Sequence, residues 1–397
     1  MKISSVFIFV GFTILFGFTS CKEKPQKDKE MEIVNDTLFS DFNKDEVLKP
    51  AAFDTVIDNK KVSLYWIESD YLKAAFTNYG GRIVGLWVPD KNGELTDVVS
   101  GMSGINGFAT ASEPYFGATI GRVGNRIAKG KFKIDGQEYT TATNNGENTL
   151  HGGIKGFQYV VWDAEQPDSQ TLVLRYRSPH MEEGFPGNLD VKVTYSIIEN
   201  NTIKMDYEAT TDMKTVVNLT NHAFFNLNGE NSGSILNHKL KLFADSYTPV
   251  DAGLIPTGAL RNVKGTPFDF RNFQTIGARI NTENEQLING KGYDHNFVLN
   301  KTKAMGMYQA ATVLGDKSGI QMDVFTKEPG IQFYSGNFME GKNQFKSGVK
   351  DAFRTAFALE TQHFPDAPNQ EKFPSIILNP DENYQTTSLY SFSVKND

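Results

Sequence analysis

From about Pro50 onward, short runs of apolar residues alternate with polar ones, the period-2 pattern of strands with one buried face. Leu189, Val191, Val193, Tyr195 and Ile197 alternate with polar partners, and after Glu199-Asn200-Asn201 the pattern resumes at Ile203, Met205 and Tyr207. That arrangement predicts a hairpin. Between Lys131 and Tyr139, Asp135-Gly136 suits the positive-φ turn of a second hairpin. Further strands are predicted at 62–67, 72–78, 82–88, 171–177, 238–247 and 331–337, and the one helix-like stretch at 275–287. No fixed-period repeat is present, and no run of Gly, Pro or charge beyond residue 50 is long enough for an interdomain linker. The pattern predicts one large all-β domain, an antiparallel sandwich or barrel.

The N-terminus follows a different rule. After Lys2, an apolar run extends from about Val6 to Phe18 and leads into Thr19-Ser20-Cys21. The run is shorter than the roughly 18 residues a membrane span needs, but it fits the apolar region of a secretory signal. It resembles a bacterial lipoprotein signal, with Phe18 at a position that is usually aliphatic. The resemblance implies a signal at residues 1–20, lipidation of Cys21, and a protein anchored at the cell envelope facing the periplasm or exterior. Ordinary secretion and an uncleaved anchor are the alternatives. Residues 22–49 are rich in Lys, Glu, Asp and Asn, so 21–49 reads as a solvated tether and 50–397 as the folded domain.

Composition narrows the chemistry. The chain has 397 residues, 39% of them hydrophobic, long and apolar enough for a sizeable core. A net charge of -7 offers no positive field for phosphates, which argues against nucleic acid as a partner. A single Cys excludes a disulfide framework and any Cys-built metal site. Imidazole chemistry must draw on His151, His180, His222, His238, His295 and His363.

Polar residues concentrate in five places. They are Phe116-Gly117-Ala118-Thr119-Ile120-Gly121-Arg122-Val123-Gly124-Asn125-Arg126-Ile127, then Asn144-Asn145-Gly146-Glu147-Asn148-Thr149-Leu150-His151-Gly152-Gly153, then Asn218-Leu219-Thr220-Asn221-His222-Ala223-Phe224-Phe225-Asn226-Leu227, and Tyr293-Asp294-His295-Asn296-Phe297. The last pairs Gly330-Ile331-Gln332-Phe333-Tyr334 with Leu359-Glu360-Thr361-Gln362-His363-Phe364-Pro365-Asp366. In most of them a charged or imidazole group sits among apolar residues, where burial is costly unless the group is paired or used. Taken in this order, the set resembles the aldose 1-epimerase (galactose mutarotase) family, from about residue 50 to the C-terminus.

That resemblance implies a large antiparallel β-sandwich with an open sugar-binding cleft, and interconversion of the α and β anomers of a free aldose such as galactose or glucose. Inversion at C1 requires the pyranose to open, rotate about C1–C2 and reclose. It therefore asks for one general base and one general acid, and for no metal or cofactor. By the resemblance, Glu360 is the base toward the C1 hydroxyl, His222 the acid toward the ring oxygen, and His151 a second imidazole near that oxygen. Asn125, Arg126, Asp294 and Gln332 fall on sugar contacts, and the 182–187 loop on one that brings an aromatic to the cleft. Two departures are visible: Gly124 stands where Ala is common, and His180-Met181 where Asp-Gly is often found.

Among the other histidines, His295 reads as structural, His363 as able to orient Glu360 or not, and His180 and His238 as lying in surface segments. Two other functions remain open to the sequence alone. A glycoside hydrolase would need two carboxylates flanking the bond, for which Asp294 and Glu360 are the obvious pair. A non-catalytic sugar-binding lipoprotein would need neither acid nor base.

Overall fold

A computed structural model describes residues 42–301, 303–304 and 306–395. The expected signal, Cys21 and most of the tether lie outside the described residues. The tether reading fails at its end: Lys44–Val47 forms a short helix capped by the Asn43 side chain, and Leu48 is buried. Phe42 packs edge-on against Trp66 and Trp87, 6.0 and 5.5 Å between ring centres. Two aromatic rings and one leucine anchor a segment that its charge density marks as solvated.

Two antiparallel sheets make the framework. Strands Asp163–Asp168, Thr171–Ser178, Leu189–Ile198, Thr202–Thr211, Tyr384–Val394, Ile320–Thr326, Met307–Leu314, Lys239–Leu242 and Gln274–Thr275 lie side by side in that order, with Lys303–Ala304 paired to Met307–Leu314. The second sheet runs Phe224–Phe225, Phe357–Gln362, Gly330–Tyr334, Asp294–Leu299, Ala244–Tyr247 and Arg261–Asn262. A four-stranded sheet, Leu64–Glu68, Lys73–Thr77, Arg82–Pro89 and Leu95–Asp97, adds further core. Both predicted hairpins form, Leu189 facing Thr211 through Ile198 facing Thr202, and Lys131–Ile134 on Gln137–Thr140.

One continuous core joins the two large sheets. Val191, Val193, Tyr195, Met205 and Tyr390 from the first meet Phe297, Ile331, Phe333 and Leu359 from the second. The predicted strand at 238–247 is two strands: it leaves the first sheet at Leu242 and enters the second at Ala244. The expected helix at 275–287 is also corrected. Only a 3-10 turn, Ile276–Ala278, and a short helix, Glu285–Gly290, form there. Ile276, Ile280 and Leu287 give the spacing a helical look, but each is buried against the core from its own turn.

Candidate active site

Strand alternation sets the floor of the site. Because Phe297, Ile331, Phe333 and Leu359 turn into the core, Asp294, Asn296, Gln332 and Glu360 turn to the opposite face. Gln332 lies directly across from Glu360 on one side and Asn296 on the other. Its Nε2 donates to Asp294 Oδ1 at 2.6 Å, so it orients the aspartate beside the glutamate.

The imidazoles arrive from elsewhere in the chain. His222 ends the strand Thr220–His222, which pairs with Ala118–Ile120. Its Nε2 lies 3.6 Å from Glu360 Oε1. The rings of Phe224 and Tyr115 lie nearly parallel to it, at 4.8 and 5.7 Å between centres. The second imidazole is placed by the pairing of Thr149–Leu150 with Arg126–Ile127, which carries His151 to Asn125. The His151 N–H donates to the Asn125 carbonyl (2.9 Å), and the Asn125 N–H donates to His151 Nδ1 (3.2 Å). Asn125 and His151 both hold the left-handed backbone region, φ 58° and 50°, a strained conformation typical of residues fixed for a task. At Gly152 a Cβ would overlap the Gly121 carbonyl, so only glycine lets the two loops approach.

These groups enclose a cavity of about 50 Å³ lined by Glu113, Tyr115, Asn125, Arg126, Leu150, His151, His222, Asp294, Tyr334, Phe338 and Glu360. Of these, Glu113, Tyr115, Arg126, Leu150 and Phe338 also line a wider groove of about 840 Å³. Arg126 donates from Nε to Asn145 Oδ1 at 3.1 Å, and its terminal amino groups have no protein partner among the described residues.

Burial governs the electrostatics. Desolvation, with Asp294 and Glu113 adding to it, holds the Glu360 carboxyl well above its ordinary range, while Arg126 opposes them. Desolvation lowers His222 to about 3, and it lowers His151 well below the usual imidazole value, with His222 and Arg126 acting in the same direction. Asp294 is raised by burial against Arg126 and Gln332. His151, His222 and Glu360 bring one donor atom each within 4.8 Å of the others, the one cluster among the described residues compact enough for a metal ion. Two imidazoles and a carboxylate are ordinary zinc ligands, and they are equally the set that carries protons.

All seven residues expected at a sugar site converge here, with Gln332 acting through Asp294. The other histidines do not. His295 faces the opposite side, among Phe268 and Tyr247, and His363 Nδ1 contacts Glu328 Oε2 at 2.5 Å rather than Glu360. His180 is exposed, and its Nδ1 accepts from the Gly187 N–H. His238 is fully buried, contrary to expectation, because its Nε2 accepts from the Leu227 N–H while Nδ1 faces Asp316 at 3.4 Å. The loop reading at 182–187 is corrected too: Phe185 is buried with Phe132 and Val216, and the aromatic walls are Tyr115, Tyr334 and Phe338. Glu113 and those walls carry no spacing signal in sequence. Tyr334 closes the cluster that holds Gln332, and Glu113-Pro114-Tyr115 abuts Phe116-Gly117, but Phe338 stands in no quoted motif.

Comparison with known proteins identifies the family and agrees with the fold. The family model of aldose 1-epimerase matches residues 63–391. The galactose mutarotase of Bos taurus is 42% identical over 333 residues, covering 84% of this chain and 94% of that protein. The aldose 1-epimerase of Escherichia coli K12 is 36% identical over 317 residues, covering 79% and 90%. Among solved structures, a GalM/aldose epimerase homologue from C. elegans superposes with a TM-score of 0.77 at 31% identity, covering 84% of this chain and all of that one. The galactose 1-epimerase of Lactobacillus acidophilus NCFM gives 0.75 at 25% identity, covering 86% and 97%.

Proposed function

The chain belongs to the aldose 1-epimerase family and interconverts the α and β anomers of aldoses, and we propose that Glu360 and His222 are the proton-carrying pair, acting on free galactose and glucose. The observation that carries this assignment is the 3.6 Å approach of His222 Nε2 to Glu360 Oε1 on the floor of the cavity.

The pair works by holding a single proton. The form that reacts from the closed ring is the one with that proton on His222 and Glu360 ionised. Glu360 takes the proton of the C1 hydroxyl, the O–H electrons form the C1 carbonyl, and the C1–ring oxygen bond breaks. His222 gives its proton to the departing ring oxygen. Both protein groups are then neutral, the state that burial favours at each of them. Burial thus raises the energy of the charged starting pair and favours the opening step. After rotation about C1–C2, the reverse transfers close the ring on the other face. His151 donates from Nε2 toward the ring oxygen, and Arg126, Asn125 and Asp294 hold the remaining hydroxyls.

Polarimetry on freshly dissolved α-galactose and α-glucose tests the assignment. The wild-type protein speeds the approach to anomeric equilibrium, and Glu360→Gln and His222→Gln each return it to nearly the spontaneous rate. Methyl galactoside, whose C1 oxygen carries no proton, is left intact; release of free sugar from it overturns the assignment in favour of a hydrolase.

We further propose that the enzyme is anchored through a lipid on Cys21 at the cell envelope, on the sequence of residues 1–21 alone. Cys21→Ser then shifts the protein from the membrane to the soluble fraction, and unchanged membrane association counts against the anchor.

A further inference from the structure

A third carboxyl faces the site, and the acid-base pair does not need it. Glu113 lines the inner cavity together with Glu360, His222 and His151, yet those three line only the inner cavity while Glu113 also lines the wider groove. It therefore stands on the rim between the two spaces, beside Tyr115, whose ring packs on His151 at 4.5 Å between centres. Its Oε1 is enclosed and has no hydrogen-bond partner among the described residues, and no ion pair involves it there. A buried carboxyl oxygen without a partner costs free energy, so on a residue that lines a ligand cavity it points to a ligand donor.

We propose that Glu113 is a specificity-determining residue that hydrogen-bonds a sugar hydroxyl at the end of the pyranose remote from C1. The reasoning is positional, and it rests on the epimerase reading. With C1 and the ring oxygen held between Glu360 and His222, the far end of the ring reaches the rim that Glu113 shares with Arg126. The carboxyl selects sugars that carry a hydroxyl within its reach.

The surroundings give this contact a pH dependence. Burial raises Glu113 to about 8, Asp294 and Asp351 push the same way, and the Tyr115 backbone N–H and Arg126 oppose them. Glu360 is the other carboxyl facing it, and Tyr115, Tyr159 and Tyr334 are the phenols, all raised by burial. At neutral pH Glu113 is thus mainly protonated and both donates and accepts. Above about pH 8 it adds a charge to an enclosed site.

KM and kcat for galactose, glucose and their 3-, 4- and 6-deoxy analogues, measured by coupled polarimetry between pH 6 and 9, test the proposal. Glu113→Ala raises KM about two- to tenfold for the parent sugars, the worth of one lost hydrogen bond. For the deoxy analogue lacking the partner hydroxyl it changes KM little. Wild-type KM rises above pH 8, whereas Glu113→Gln gives a flat profile, and the Gln variant decides the matter should the Ala variant fold poorly. Equal KM values for every sugar in the active variants, with unaltered pH profiles, overturn the proposal. Failure of the wild-type protein to speed mutarotation at all counts instead against the epimerase reading.

Discussion

The Asn125 backbone N–H donates to Nδ1 of His151 at 3.2 Å. A ring nitrogen that accepts cannot carry the proton of a neutral imidazole, and burial keeps this imidazole neutral. Its single N–H is therefore on Nε2. The strained backbone at both residues serves to present a donor of fixed tautomer to the substrate. Removing that donor should act on the transition state more than on binding. Expected for His151→Ala is a kcat lower by about 10²-fold with a small change in KM, and for His151→Gln a partial recovery. Steady-state polarimetry of the two variants checks this.

The pair of His222 and Glu360 should give an unusually broad pH plateau. Lowering the pH adds a second proton, and burial delays that step to about 3 at His222. Raising the pH removes the only proton, and burial delays that loss to well above the ordinary carboxylate range. Activity is expected to persist well below pH 6.5, where an exposed imidazole acid would already have titrated. A kcat profile from pH 4 to 9 whose acid limb falls near 6.5 would contradict a dry, coupled pair.

The same burial makes Glu360 a liability to the fold. Its folded pKa is raised above the unfolded value, so the native state holds a proton that the unfolded chain has released. The proton's contribution to stability is present below about pH 4.5 and is lost as the pH rises through the raised value. Glu360→Gln should therefore melt at a higher temperature than wild type at neutral pH, with the gap widening toward alkaline pH. Differential scanning calorimetry at pH 4, 6 and 8 measures it.

Outside the lining of the cavity, Lys346 Nζ is buried between Glu230 at 2.6 Å and Asp97 at 3.1 Å. Lys346→Met leaves two enclosed carboxylates unpaired and should cost about 3 kcal/mol of stability. Because Lys346 lines neither the cavity nor the groove, kcat at 20 °C should stay at the wild-type value. Urea unfolding and mutarotation assays together separate the two effects.

A proton shuttle asks nothing of a cation. Dialysis against EDTA is expected to leave the rate unchanged, and added Zn²⁺ to inhibit by occupying His151, His222 and Glu360. A rate that falls with EDTA and returns with metal would require a different role for the trio.

The period-2 pattern gave the strands of the main hairpins with little error, since a strand with one wet face must alternate. It failed where context overrode the pattern. At Phe243 a single apolar run bends from one sheet into the other, and at 275–287 separate turns each bury one residue. Residue chemistry marked the polar clusters, because a buried carboxylate or imidazole stands out among apolar neighbours, and the family resemblance picked out of them the seven polar side chains that meet at the cavity.

What the sequence determined by itself is therefore the strand content, the two main hairpins and the kinds of groups available for acid-base work. Tertiary structure decided how those groups behave. Only folding brings His222 from mid-chain against Glu360 near the C-terminus, removes water from both, and so raises one proton affinity while lowering the other. Only folding gives His151 its tautomer and sets Glu113 on the rim, since both depend on which backbone and which cavity lie within a few ångströms. Alternation is a local property of the chain, whereas distance and desolvation belong to the assembled core.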